Sequence, residues 1–244
     1  MALRGAVGSS MQIICLNAGN FAGRGLRYAA NLHRQASVHL ALPHQFVCFT
    51  DDEEPYPDGI VTRPLPHPGL KGWMNKLALF KPGVFPDDER VVYLDLDTFI
   101  VDPIDFLGAY DGRFAMLGPF FDNVNPLYAG PQSGVMAWRG GFGAEIWEPF
   151  VKAGFPDTRG GDQRFINDIF HPKWLSPGYE TLSGKPDLLQ ELFPGKFASY
   201  KGACMEAVPE GVAVVCFHGL PRCHQAGGWA RQLWREGAIE DRTR

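Results

Sequence analysis

The chain has 244 residues, enough for one large unit with its own core, and its 45% hydrophobic and 20% charged residues exclude a disordered or fibrous class. A net charge of −4 provides no positive field for nucleic acid, and no run approaches the roughly 18 apolar residues of a membrane span. The 29 glycines and 20 prolines exceed the average share of about 12%, so loops able to carry a site are expected.

At the N-terminus, Ser9, Ser10, Gln12 and Asn17 interrupt any apolar stretch after Arg4. No secretory leader is expected, and residues 1–10 read as an extension ahead of a single domain over 11–244. Residues 12–16 predict a buried strand, followed by the turn Asn17-Ala18-Gly19-Asn20. Leu26, Ala29, Ala30 and Leu32 recur at helical spacing, so a helix is expected over 25–36. Residues 45–50 predict a second strand ending at Asp51-Asp52, and 60–63 a third before the proline-rich stretch 64–68. Strand, helix, strand in that order predicts an α/β domain with a mixed, mostly parallel sheet.

Trp73, Leu77 and Phe80 predict a short helix that Pro82-Gly83 ends, and residues 91–94 predict the central strand. Further strands are expected at 114–117 and 134–138, joined through Asn123, Asn125, Pro126 and Pro131. Residues 144–152 and 162–170 read as helices, with Asp162 suited to cap the second. Residues 171–204 have weak periodicity and receive no assignment. Residues 212–217 form a last strand delivering His218-Gly219, and 228–236 form an amphipathic helix with Trp229, Leu233 and Trp234 on one face. Arg231 and Arg235 on that helix suit either docking on the domain or peripheral contact with an anionic inner membrane surface. Cys15, Cys48, Cys204, Cys216 and Cys223 are odd in number and scattered, as expected of reduced thiols in a cytoplasmic protein.

The chemistry concentrates at Asp95 and Asp97, at the end of an apolar run. Residues i and i+2 of a strand share a side, so the two carboxylates are expected to converge where the chain leaves the sheet. Like charges held close call for a cation between them, and Mg²⁺ or Mn²⁺ suits oxygen ligands. The plainer alternative is a strand ending in two solvated acids. Open α/β sheets bind ligands at the carboxyl ends of their strands, near which Asn17, Asp51, Asp95, Asp97, Ser133 and His218 all fall. A neutral His218 imidazole can complete the coordination of a metal held by Asp95 and Asp97. Cys216, His218, Cys223 and His224 lack a C-x-x-C pair, so no structural zinc is expected.

The ordered set Tyr93-Leu94-Asp95-Leu96-Asp97, Ser133-Gly134-Val135, Asp162-Gln163 and Phe217-His218-Gly219 resembles the glycosyltransferases of the GT-A fold. Within them it is most similar to glycosyltransferase family 8, the glycogenin and lipopolysaccharide-galactosyltransferase group, over about residues 12–224. The resemblance implies a Rossmann-like nucleotide-sugar-binding domain. It also implies sugar transfer from a nucleotide-sugar donor, a UDP-hexose, to a hydroxyl of a glycan, lipid-linked or protein acceptor, with retention. By that likeness Asp95, Asp97 and His218 hold Mn²⁺ or Mg²⁺ on the donor diphosphate, with Gly219 beside them. Asn17, Ala18 and Asp51 lie against the uridine, Lys76 faces the donor, Gln132 and Ser133 border the sugar, and Asp162 and Gln163 sit near its transferred ring.

Two departures stand out. Arg222 takes the lysine's place in the family's H-G-x-x-K-P motif, with no proline after it; its planar fork still suits a diphosphate. Gln132 replaces the usual Asn before Ser-Gly, adding a methylene where acceptor or sugar would sit. An inverting route, with Asp122 or Asp162 as base, stays open on sequence. So do a haloacid-dehalogenase-type phosphatase, which also uses D-x-D after a strand, and a non-catalytic nucleotide-sugar or glycan-binding protein. The last would stack sugars on Trp73, Trp138, Trp147, Trp174, Trp229 or Trp234.

Overall fold

A computed structural model describes residues 11–121, 130–170, 182 and 184–236. The expected extension at 1–10, the acid Asp122, the connection through Asn123, Asn125 and Pro126, and Trp174 lie outside the described residues.

The first half runs β1 (Met11–Asn17), α1 (Gly25–His39), β2 (His44–Thr50), β3 (Ile60–Pro64), a 3-10 helix (Gly72–Phe80) and β4 (Arg90–Leu94). Next come β5 (Thr98–Ile100), α2 (Asp105–Gly108), β6 (Phe114–Leu117), β7 (Gln132–Arg139), α3 (Gly143–Lys152) and α4 (Gly161–Phe170). The chain continues with β8 (Asp187–Leu188), α5 (Leu189–Leu192), β9 (Phe197–Ser199), β10 (Val214–Cys216) and α6 (Gly228–Glu236).

Seven strands form one mixed sheet in the order β3-β2-β1-β4-β7-β6-β8. β3, β2, β1 and β4 are parallel, and β7 is antiparallel to both β4 and β6. Because side chains alternate along a strand, the two faces of β1 feed different cores. Ile13 and Cys15 pack with Tyr28, Leu32 and Ala36 of α1, whereas Ile14 and Leu16 pack with Leu77 and Phe80 of the 3-10 helix and Phe150 of α3. A sheet covered on both sides explains why these strands read as continuous apolar runs.

Three expectations change. First, residues 212–217 do not join the main sheet; β10 is the middle strand of a second sheet, β5-β10-β9. Second, Asp95 and Asp97 are not on a strand but in the turn between β4 and β5, where Thr98 N–H donates to Asp95 C=O at 3.1 Å. They therefore meet different partners instead of pointing in parallel. Third, the expected helix at 73–80 is 3-10 in type. Residues 74–80 are all buried, so no exposed face marks its period, and Asn75 donates its amide to the carbonyls of Leu70 and Gly72. All five cysteines are free and buried, and no helix among the described residues is long and apolar enough to cross a membrane.

Candidate active site

The parallel strands β1, β2 and β4 deliver Asn17, Asp51 and Asp95 to one edge of the main sheet. Because β7 runs the other way, its first residues reach the same edge, and Asp95 N–H donates to Gly134 C=O at 2.8 Å. The second sheet brings in the rest: Phe217 N–H donates to Asp97 C=O at 3.0 Å, which tethers the segment carrying His218 to the D-x-D turn.

At the floor lies Lys76, only 5% exposed. Its Nζ is 3.0 Å from Asp95 Oδ1 and 3.1 Å from Asp162 Oδ2, and it donates to Ser133 Oγ at 3.2 Å. The Asp162 contact is a charge pair without hydrogen-bond alignment. The ammonium also sits 5.0 Å from the centroid of the Tyr93 ring. Burial alone would lower the lysine's pKa, but Asp162 and Asp95 outweigh it and hold the group cationic, above its ordinary range. Burial raises Asp162, against the pull of Lys76 and of a hydrogen bond from Ser133. Tyr93, two residues before Asp95, donates its hydroxyl to Asp95 Oδ1 at 2.7 Å.

Asp97 faces another cation. Arg222 Nη1 donates to its Oδ2 at 2.6 Å, in a pair whose carboxylate is 9% and guanidinium 31% exposed. Burial and then Asp95 push Asp97 up to about 7, while Arg222 and Lys76 draw it back. The guanidinium also lies 4.8 Å over the Phe21 ring, which meets Tyr28 edge-on at 5.1 Å. Asn20 (φ 51) and Ala22 (φ 53) flank Phe21 in left-handed conformations unusual for residues with a Cβ, so the loop holds that ring at a backbone cost.

His218 is half-buried, with its ring 5.1 Å from Phe120. Its Nε2 is buried without a hydrogen-bond partner among the described residues. Burial first, then Lys201, lowers the imidazole to about 4 against the opposing pull of Asp95, so at neutral pH it is a neutral nitrogen donor. Gln132 Oε1 is likewise buried and without a partner among the described residues.

On the β1 and β2 side, buried Asn17 donates to Tyr56 Oη at 2.7 Å and accepts from Phe21 N–H at 2.9 Å. A Cβ on Gly25 would fall 1.8 Å from Asn17 Oδ1, so only glycine lets α1 start this close to the strand. Asp51 accepts from Gly19 N–H at 2.9 Å, holding the 18–24 loop to the end of β2, and Ala18 packs at the core's edge. Gln163 is half-buried in the first turn of α4, and Gly219 is exposed with φ 71.

The structure thus joins buried Lys76, Ser133 and Asp162 with the partly exposed Asp95 in one cluster, and Asp97 with Arg222 in a second. Among the described residues, no three His, Cys, Asp or Glu side chains are gathered as a ready metal cluster. The donor set nevertheless fits a hard divalent ion: the carboxylates of Asp95 and of Asp97, whose raised pKa added positive charge would relieve, and a neutral His218 nitrogen with no partner among the described residues. Sequence reasoning missed Phe21 and Tyr56. Nothing local marks Phe21, whereas Tyr93 was legible as the residue two before Asp95.

No family model matches the chain, and no curated protein matches it by sequence. Solved structures do. The glycosyltransferase GlyE of Streptococcus pneumoniae TIGR4 is 15% identical, with a TM-score of 0.60, over 96% of this chain and 61% of its own. This chain therefore spans about 61% of that protein's length. An active-site mutant of LgtC is 13% identical, with a TM-score of 0.61, over 93% of this chain and 95% of its own. The galactosyltransferase LgtC in complex with donor and acceptor sugar analogues gives a TM-score of 0.60 at the same identity and coverage. At these identities the likeness establishes the fold, and the chain has the GT-A-like architecture that the D-x-D, S-G, D-Q and H-G order led us to expect.

Proposed function

We propose that this chain is a metal-dependent glycosyltransferase that moves a hexose from a UDP-sugar to a hydroxyl acceptor with retention of configuration. The observation that carries this reading is the convergence of Asp95, Lys76, Ser133 and Asp162 at one sheet edge, beside Asp97, Arg222 and a His218 nitrogen with no partner among the described residues, in a fold shared with LgtC. LgtC has been solved with donor and acceptor sugar analogues, which supports a nucleotide sugar and a glycan as the substrates here.

Asp95, Asp97 and His218 are the residues that would hold Mn²⁺ or Mg²⁺. Bound there, such an ion would offset the negative charge that a departing nucleoside diphosphate acquires. Arg222 adds a second positive charge for the same anion, through a fork suited to paired phosphate oxygens. Asn17, Ala18 and Asp51 line the nucleoside side. Lys76 is a positioning residue: its ammonium is directed at Asp95 and Asp162 and fixes both carboxylates. Asp162 and Gln163, with Gln132, orient the sugar hydroxyls, Gly219 follows the metal ligand His218, and the Asp162 charge steadies the positive charge developing at C1.

The test is incubation with UDP-glucose or UDP-galactose and Mn²⁺, following UDP release and the mass gain of glycoside acceptors. UDP release abolished by EDTA supports the reading. Phosphate release from simple phosphomonoesters, without turnover of any nucleotide sugar, would replace it with the phosphatase.

A further inference from the structure

Trp73 is 65% exposed. Of the other described tryptophans, Trp138, Trp147 and Trp234 are buried in the cores and Trp229 is half-buried against one. Large aromatic rings are costly to leave in water, and this one lies beside the candidate site.

Its setting is built. Trp73 stands in the first turn of the 3-10 helix, where side chains at i and i+3 eclipse, so it shares a face with Lys76. Its indole lies along the backbone of Gly161: a Cβ on that glycine would fall 2.6 Å from Cδ1 and 2.7 Å from Nε1. Gly161 also has φ +72, and its carbonyl accepts from Thr158 Oγ1 at 2.6 Å. Glycine is thus required there twice over, once for its dihedral and once for the ring. The next residue is Asp162. Contacts run from Asp95 through Lys76 to Asp162, and then along the chain to Gly161 and the indole. Trp73 therefore stands beside Asp162, against the glycine that precedes it and one 3-10 turn from Lys76.

We propose that Trp73 is the platform of an acceptor subsite, stacking under the apolar face of a pyranose ring whose hydroxyl is directed toward Asp162. The inference rests on the glycosyl-transfer reading above and adds to it the residue against which the acceptor's sugar ring lies. An indole held by backbone along one edge and open elsewhere offers a large, rigid surface, and it loses little entropy on binding.

The experiment uses the full chain with Mn²⁺, UDP-glucose or UDP-galactose, and a panel of methyl α- and β-glycosides of glucose, galactose and lactose as acceptor probes. Three quantities are read for the wild type, Trp73→Phe and Trp73→Ala: donor Kd, UDP release to water without acceptor, and acceptor KM. Glycoside binding is read separately as the change in indole fluorescence that Trp73→Phe removes. Trp73→Ala should raise acceptor KM about tenfold or more, with donor Kd and hydrolysis within about twofold of wild type, and Trp73→Phe should recover most of the loss. Equal acceptor KM in all three chains, or no glycoside perturbing Trp73 fluorescence, overturns the platform while leaving donor chemistry standing. A wild-type chain that binds no donor overturns the transfer reading, and the platform with it.

Discussion

Replacing Arg222 with Gln removes the guanidinium from Asp97 and leaves a buried carboxylate without its cation. Charges about 4 Å apart attract by about 4 kcal/mol at an effective dielectric near 20, and breaking a buried pair costs about 3–5 kcal/mol. With the arginine side chain 31% exposed, the low end applies, about 3 kcal/mol. For a chain of this size each kcal/mol shifts Tm by about 2–4 °C, so the variant should melt about 6–12 °C lower. Asp97 is raised to about 7, so the folded state holds a proton there that the unfolded chain has already released. Asp97's contribution to stability is therefore complete at low pH and is lost as pH rises through about 7. The Tm deficit of the variant should accordingly grow between pH 6 and pH 8, as the carboxylate loses the proton that substitutes for the guanidinium. Mn²⁺ should restore more Tm in the variant than it adds to the wild type, because a ligand that binds only the folded state stabilises it and Asp97 no longer has a competing cation. The assay is thermal melting of both proteins at the two pH values, with and without Mn²⁺. An unchanged Tm, or identical Mn²⁺ increments in both chains, would refute the account of Asp97.

Lys76→Met should cost about 3–5 kcal/mol in denaturant unfolding, since it strands the Asp95 and Asp162 carboxylates, and adding Asp162→Asn should recover part of that loss. A loss below about 1 kcal/mol would show that the cluster is not held by the lysine. The His218 imidazole is lowered to about 4, so its contribution is present above the ordinary histidine range and is lost as pH falls toward 4. His218→Asn should therefore flatten the pH dependence of stability between about 6.5 and 4, and an unchanged acid limb contradicts this. Gly161→Ala should destabilise the chain by more than about 1 kcal/mol and move the Trp73 emission, because alanine is strained at φ +72 and meets the indole. A variant as stable as wild type with unaltered emission would remove the constraint.

The strands of the main sheet were legible because apolar runs such as 12–16 and 45–50 are buried on both faces, and α1 because its apolar positions repeat at helical spacing. What escaped was non-local. β5 and β9 have three residues each and depend on β10, more than a hundred positions from β5, so no local pattern announces the second sheet. The D-x-D acids were found by spacing, but their partners were not. Whether Asp97 faces a neighbouring carboxylate or Arg222 is decided by a contact across 125 positions. Lys76 was recognised as a candidate, although its burial between two acids follows from the antiparallel turn of β7, which brings Ser133 to the edge reached by β4.

The central claim is that Asp95, Asp97 and His218 together hold a cation on a nucleotide diphosphate. Calorimetric titration of UDP, UDP-glucose and UDP-galactose in Mn²⁺ or EDTA, on the wild type and on Asp97→Asn and His218→Asn, tests it most directly. The account predicts binding to the wild type that needs Mn²⁺, at least about tenfold weaker in each variant. UDP binding of equal strength in EDTA, unaltered by either substitution, would contradict it.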